Sequence, residues 1–495
     1  MSRFSQYTKN IGALVGQSFI QRTLGMVTTM VLARALGSAS FGAYSIVVNT
    51  ANSAYGFVRL GVDASIHVHT AGGYVDDDGR CKTGELLAAG FLLLLLAGIV
   101  GGLGCLVLAD WLSENIYGKP ELAIWIRVGG IVVFLQCVSQ FCYAAMAGLH
   151  RFTAYARIMV ASAVINVVAI TGGVLLAGLI GVVVAMISVQ FITVVWLALG
   201  VKTGLRIESL QLTLRNFSSR VGQLLKFGFP FYAAGLISIP VIYYLQGLLV
   251  RHAGLEALGY LRVIMALAMI VSFIPTSASA AMVSMFVRTK SKDESALAEK
   301  IMRNVKMILL FALIIAAMVT IILPWLIPIL FGQEYVAVIG AAGLAMVTAV
   351  MTAVVGVIGN ALFSAKRVDL IFLTTLMQMT VFYVTGIILI PKYGLIGFLV
   401  AELLGCLALL VVASWRSIYW FRENAVQVTW MGKVLVPLFL LGAYSIKQVS
   451  YNGEPSISDS IIAITVLLLA CIWGYAAILD NTERNVIRCW IGLNN

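Results

Sequence analysis

Long apolar windows follow one another along almost the whole chain, separated by short polar segments. Twelve fall at 11–33, 42–62, 85–109, 122–148, 157–177, 179–200, 227–250, 257–285, 307–330, 336–363, 369–390 and 395–414. Two more follow at 429–446 and 458–479. Each is long enough to cross roughly 30 Å of hydrocarbon as a helix. The pattern predicts an all-α polytopic membrane protein with about fourteen transmembrane helices. The opening Met1 to Asn10 is polar and lacks an apolar core and small-residue cleavage site, so the first window reads as a retained span.

The windows repeat. Gly178-Leu179-Ile180-Gly181 returns as Gly394-Leu395-Ile396-Gly397, 216 residues later. At the same offset Val184-Ala185 matches Val400-Ala401, Arg151 matches Arg367 and Ala145 matches Ala361. Arg34-x-x-Gly37-x-x-x-Phe41-Gly42 returns as Arg251-x-x-Gly254-x-x-x-Leu258-Gly259, at an offset of 217. The offset spans six windows, an even number, so the two halves are parallel in topology. The expected organisation is a six-helix bundle over 1–200, a linker over 201–226, a second pseudo-symmetric six-helix bundle over 227–415, and two extra helices with a tail over 416–495. The linker, with Arg206, Glu208, Arg215 and Arg220, reads either as an amphipathic helix on the membrane surface or as a solvated basic loop. Both Gly-Leu-Ile-Gly segments join the fifth and sixth windows of their halves, where glycine permits a tight turn.

Charge sets the orientation. With the N-terminus in the cytoplasm, most Lys and Arg fall in cytoplasmic segments, and the opposite side holds Arg34, Lys119, Arg251, Lys392 and Lys447. The bias places both termini in the cytoplasm. Charged residues make up 11% of the chain against 61% hydrophobic, so the net charge of +12 reads as orientation and contact with anionic lipid, not as a nucleic-acid footprint.

Few charges remain inside the windows, and those are the candidate chemistry. Arg22 is near the centre of the first, with Gln17, Ser18, Gln21 and Thr29 on the same stripe. Arg59 and Asp63 end the second, at a spacing that also suits an intrahelical ion pair. Arg127 is in the fourth, Arg262 in the eighth and Glu402 in the twelfth; Lys433 opens the thirteenth, where it can snorkel. Four cations against two anions suggest a cationic lumen suited to a phosphate-bearing substrate. Asp63 and Glu402 are candidate proton or cation sites. Arg22, Arg59 and Asp63 have no charged counterpart in the second half, where Ile239, Thr276 and Ala280 stand. Pro230, Pro240, Pro275, Pro324, Pro328 and Pro437 fall within or beside apolar runs of the second half and beyond, where bending is expected.

Enzyme motifs are missing. There is no Walker A sequence, G-x-S-x-G or H-E-x-x-H. Asp76-Asp77-Asp78 reads as a solvated acidic turn, and no large extramembrane loop offers the carboxylates of a glycosyltransferase. The seven Cys contain no C-x-x-C pair and only four His are present, so neither a metal nor a cofactor is expected, and most Cys read as small packing residues.

Phe19-Ile20-Gln21-Arg22-Thr23-Leu24-Gly25-Met26-Val27, Leu32-Ala33-Arg34-Ala35-Leu36-Gly37 and Phe41-Gly42-Ala43-Tyr44 resemble the start of the Wzx-type polysaccharide flippases. These belong to the multidrug/oligosaccharidyl-lipid/polysaccharide exporter superfamily. Arg22-x-x-Gly25 with Ala33-Arg34 also looks like the lipid II flippases of that group, and Phe331-Gly332-x-Glu334-Tyr335 fits it. The resemblance implies a bacterial inner-membrane flippase, not an enzyme, that moves a polyprenyl-diphosphate-linked oligosaccharide outward by alternating access, for surface polysaccharides such as O-antigen or exopolysaccharide. A polysaccharide polymerase and glycosyltransferases are candidate partners, and Glu402 and Asp63 motivate coupling to a proton or sodium gradient. In lipid II flippases, arginines of the first, second and eighth helices meet the diphosphate. Arg22 carries that role by its motif, Arg59 by its position late in the second helix, and Arg262 by helix number. The alternative is a cation-coupled small-molecule or drug antiporter on the same fold. That branch places an acidic residue in the first helix, where this chain has none.

Overall fold

The computed structural model describes residues 3–70, 77–290, 294–364 and 368–423. The expected helices at 429–446 and 458–479, with Lys433 and Pro437, lie outside the described residues, as do Asp76 and Arg367. Among the described residues the chain is helical throughout, without strands: α1 (Arg3–Val58), α2 (Val62–Thr70), α3 (Asp77–Leu112), α4 (Ala123–Gly148), α5 (Phe152–Ile207), α6 (Phe217–Lys290), α7 (Glu294–Phe331), α8 (Ile339–Ser364) and α9 (Val368–Glu423). Eight helical stretches among the described residues are long and apolar enough to cross a membrane.

Four of these are two helices joined without a loop. α1 breaks at Gly37, α5 at Ala177 and Gly178, α6 at Gly254 and α9 at Gly394. With these breaks, helical segments fall at the twelve positions expected between residues 11 and 414. The breaks repeat as the sequence does. Gly37 has φ 71° and ψ 171°, and Gly254 has φ 82° and ψ 174°. Gly178 has φ 54° and ψ −132°, and Gly394 has φ 54° and ψ −126°. Only glycine enters these regions cheaply, so each half turns its chain with the same residue in the same conformation. The elements around them match as well. α4 and α8 are both 26 residues long, and α5 and α9 are both 56.

Lipid supplies no hydrophobic drive between helices, so association rests on close packing and small residues. Within the α5 hairpin, a Cβ on Gly181 would stand 2.0 Å from the Gly173 carbonyl oxygen. The equivalent Gly397 of α9 meets the Leu389 oxygen at 2.3 Å. Large apolar side chains such as Leu176, 88% exposed, face outward, where lipid covers them.

The contacts divide the chain into Met1–Gly259 and Tyr260–Asn495. In the first unit α4 packs against α1, α2, α3 and α5. A core of Ile66, Leu87, Leu94, Phe141, Met146 and Leu197 also takes in Leu210 and Leu224 from the expected linker. Within it Arg206 and Arg215 are exposed, while its two ends are tied to the first unit. α5 runs to Ile207 and α6 starts at Phe217, and the stretch between them lies against the start of α3. A Cβ on Gly84 would sit 2.1 Å from the Gln211 oxygen. Arg220 donates to Glu85 at 2.9 Å, and Asn216 donates to the same carboxylate at 3.3 Å. The first turns of α6 therefore pack with the first unit. In the second unit α8 is the central element, packed on α7 and α9 and buried along most of its length.

Candidate functional site

The helix that ends α1 and the helix that begins α2 belong to one apolar run, yet three residues interrupt it. Arg59, Leu60 and Gly61 separate Val58 from Val62, with φ 49° at Leu60 and φ 73° at Gly61. A leucine at positive φ costs about 1–2 kcal/mol, so the break must be held from outside. α6 holds it. Gly61 and Gly228 touch backbone to backbone, and a Cβ on either would meet the other's carbonyl oxygen at 2.3 Å. The break also releases the Phe57 carbonyl from the helical ladder, and the Tyr232 hydroxyl donates to it.

This geometry places Arg59 at the end of one helix and Asp63 in the first turn of the next, where the helix dipole favours a carboxylate. Arg59 Nη1 stands 3.5 Å from Asp63 Oδ2, and the Tyr55 hydroxyl donates to the same oxygen at 3.1 Å. The guanidinium carbon lies 5.8 Å from the Tyr55 ring centroid. At 3.5 Å the pair is looser than a charge-assisted hydrogen bond of about 2.8 Å. Arg59 Nε and Asp63 Oδ1 are buried with no hydrogen-bond partner among the described residues. The Arg59 side chain is nonetheless 38% exposed, against 15% for Asp63. One oxygen of Asp63 and one nitrogen of Arg59 thus hold unused capacity beside an accessible cation.

The other sequence-predicted residues sit elsewhere. Arg22 is half-buried on the first part of α1 and engaged with neighbours. Gln17 donates to Gln21, and Thr28 and Thr29 bond back to carbonyls one turn earlier, at 2.9 and 3.0 Å. Much of the polar stripe around Arg22 therefore satisfies itself. Arg127 donates from one nitrogen to both oxygens of Asp110 at 2.7 Å, in a pair 41% and 64% exposed. Arg262 is half-buried on α6 in the second unit and is not without a partner. Glu402 lies on α9, with Oε2 buried and without a hydrogen-bond partner among the described residues. One turn on, Cys406 accepts from Gln378 at 3.5 Å and lies 3.9 Å from Thr352. Among the described residues no three His, Cys, Asp or Glu gather as a metal site would need.

Three residues escaped the sequence reading: Tyr55, Tyr232 and Glu85. Tyr55 was legible as one turn before Arg59. Tyr232 and the partner of Glu85 lie far off in the chain, and no local spacing announces them.

The fold is that of membrane transporters of the MOP superfamily. The chain is similar to a structure of the lipid II flippase MurJ in an inward closed conformation, with a TM-score of 0.70 at 14% identity, covering 96% of this chain and 99% of that one. It is also similar to an inward-facing multidrug resistance MATE family transporter, with a TM-score of 0.63 at 16% identity, covering 83% of this chain and 99% of that one. A MOP superfamily transporter from Pyrococcus furiosus gives 0.51 at 18% identity, over 85% and 97%. The profile of the polysaccharide biosynthesis protein family matches residues 31–340, and the chain belongs to that family. No curated protein matches it in sequence.

Proposed function

We propose that the protein is a flippase that carries a polyprenyl-diphosphate-linked oligosaccharide from the cytoplasmic to the outer leaflet of a bacterial inner membrane, with both termini cytoplasmic. The observation that carries the reading is Arg59. It is an accessible guanidinium at a fixed helix break, with a loose internal partner. Such a group takes a phosphate oxygen readily. Arg22 supplies the second cation of the same half, and Arg262, Arg127 and Gln21 are further polar contacts along the path. The membership in a polysaccharide biosynthesis family and the flippase fold support the substrate class. The bundles 1–200 and 227–415 rock to open the path to each side in turn, with lipid tails left in the bilayer. A polymerase and glycosyltransferases act beside it in O-antigen or exopolysaccharide assembly.

The test is the side on which lipid-linked glycan accumulates in cells carrying Arg59→Ala or Arg22→Ala. The reading expects build-up in the cytoplasmic leaflet; normal surface glycan in both variants sinks it. A second reading, a cation-coupled small-molecule antiporter, is favoured by the unpartnered buried oxygen of Glu402. It expects Glu402→Gln to abolish transport while Arg59→Ala is tolerated. In the flippase reading, Glu402 is the carboxyl that couples movement to an inward proton or sodium gradient, so collapsing both gradients slows flipping.

A further inference from the structure

We propose that Asp63 is an internal stand-in for the substrate's phosphate at Arg59, and that the carboxyl displaced by the phosphate takes up a proton. The inference rests on the reading of Arg59 as a phosphate contact. Among the described residues a single cation serves Asp63, at 3.5 Å, and a single hydroxyl, that of Tyr55, at 3.1 Å, both on Oδ2. Oδ1 is buried and has no hydrogen-bond partner among the described residues. Arg59 is the more exposed of the two, so an incoming anion reaches it first. Two phosphate oxygens can use the two terminal nitrogens together, a forked grip that one oxygen of Asp63 does not achieve.

A carboxylate left behind in this position has poor alternatives. From α4, Cys137 and Tyr143 lie within electrostatic range of it. Neither supplies positive charge. On its own side are Tyr55 and, one turn along α2, His67. From α6, Tyr232 stands within electrostatic range of Arg59. α3 also packs on α2, but between residues 83 and 109 its one charge is Glu85, which Arg220 already holds. With its cation taken and one oxygen closed off from water, the carboxylate is poorly served as an anion, and a proton from the aqueous phase neutralises it without moving the backbone. No other bond forms or breaks: Asp63 gains the proton, and the Arg59 guanidinium exchanges one anion for another. Substrate binding thereby draws a proton into the site, and release of the substrate returns it.

The experiment is isothermal titration of the purified full-length protein with farnesyl diphosphate, a lipid diphosphate without sugar, in two buffers of different ionisation enthalpy, at a pH alkaline enough that the probe's own terminal phosphate is already fully ionised. The wild-type protein is expected to take up about one proton per diphosphate bound. Asp63→Asn should bind about fivefold tighter, the scale of one partly exposed ion pair removed, and take up none. Asp63→Glu should restore the uptake. Equal or weaker binding by Asp63→Asn, or no proton uptake by the wild type, overturns the proposal. Unchanged binding of this sugarless probe is also what a sugar-reading role for Asp63 would give. Should Asp63→Asn not fold, the proton count of the unmutated protein decides alone. Arg59→Ala separates the two levels: wild-type binding by that variant sinks the phosphate contact itself, whereas lost binding with an unaffected Asp63→Asn sinks the stand-in alone.

Discussion

Gly61→Ala should damage the protein more than any neutral-looking substitution near it. Two effects add. Gly61 has φ 73°, where alanine is worse than glycine by about 1 kcal/mol. Its Cβ would also stand 2.3 Å from the Gly228 carbonyl oxygen, 2.6 Å from the carbonyl carbon and 2.9 Å from Cα. All three are backbone atoms, so relief requires the break and α6 to separate by most of an ångström. Overpacking of this kind costs about 1–3 kcal/mol, which brings the total to about 2–4 kcal/mol. Gly228→Ala meets the same oxygen-to-Cβ distance of 2.3 Å but not the φ penalty, and helix propensity returns part of the loss. Its cost should be about 1–2 kcal/mol. The double variant should cost less than the sum, because one separation relieves both clashes. Gly222→Ala, with nothing within 4 Å of its Cβ, is the control and should be neutral or slightly stabilising. The assay heats detergent-purified variants and follows the folded fraction by size exclusion. Since Arg59 and Asp63 hang on this break, glycan export should fall in step with the midpoint. Gly61→Ala melting with Gly222→Ala would refute the reasoning.

Other consequences are smaller or differently located. Arg220→Ala leaves Glu85, 3% exposed, with Asn216 alone, and should lower stability by about 3 kcal/mol, more than Glu85→Ala. Glu85→Ala with Arg220→Ala should cost less than the sum in the same melting assay. Arg127→Ala removes an exposed pair with Asp110 and should cost under about 1 kcal/mol, an effect that shrinks further in high salt. Tyr232→Phe removes the donor to the Phe57 carbonyl while keeping the ring. It should cost about 1 kcal/mol and reduce export, whereas Tyr44→Phe, far from the break, should leave export unchanged.

Much of the fold is legible along the chain because a bilayer imposes a simple rule. Every spanning segment must satisfy its own backbone, so apolar length alone reveals a helix. The turns at Gly178 and Gly394 were legible for the same kind of reason, since a repeated glycine marks a repeated backbone conformation. The linker was legible only in part. Its basic residues suggested a surface helix or a solvated loop, but Arg220 is spent on Glu85, more than a hundred residues earlier. Arg127 looked like Arg59 in the sequence, an arginine within an apolar run. Tertiary structure separates them, because Asp110 approaches the first and leaves the second only a loose partner.

The sequence by itself determined an all-α membrane protein of two repeated halves, and it singled out Arg59 and Asp63 as charges that hydrocarbon would not tolerate idle. Hydropathy, charge bias and glycine positions are local properties, and each acts through the chain's own backbone. The tertiary structure alone decided that the helix carrying Arg59 breaks at Leu60 and Gly61, that Gly228 and Tyr232 hold the break, and that one oxygen of Asp63 has no partner among the described residues. Those facts depend on how closely α6 approaches α1 and α2. An approach measured in tenths of an ångström leaves no periodic trace in the sequence.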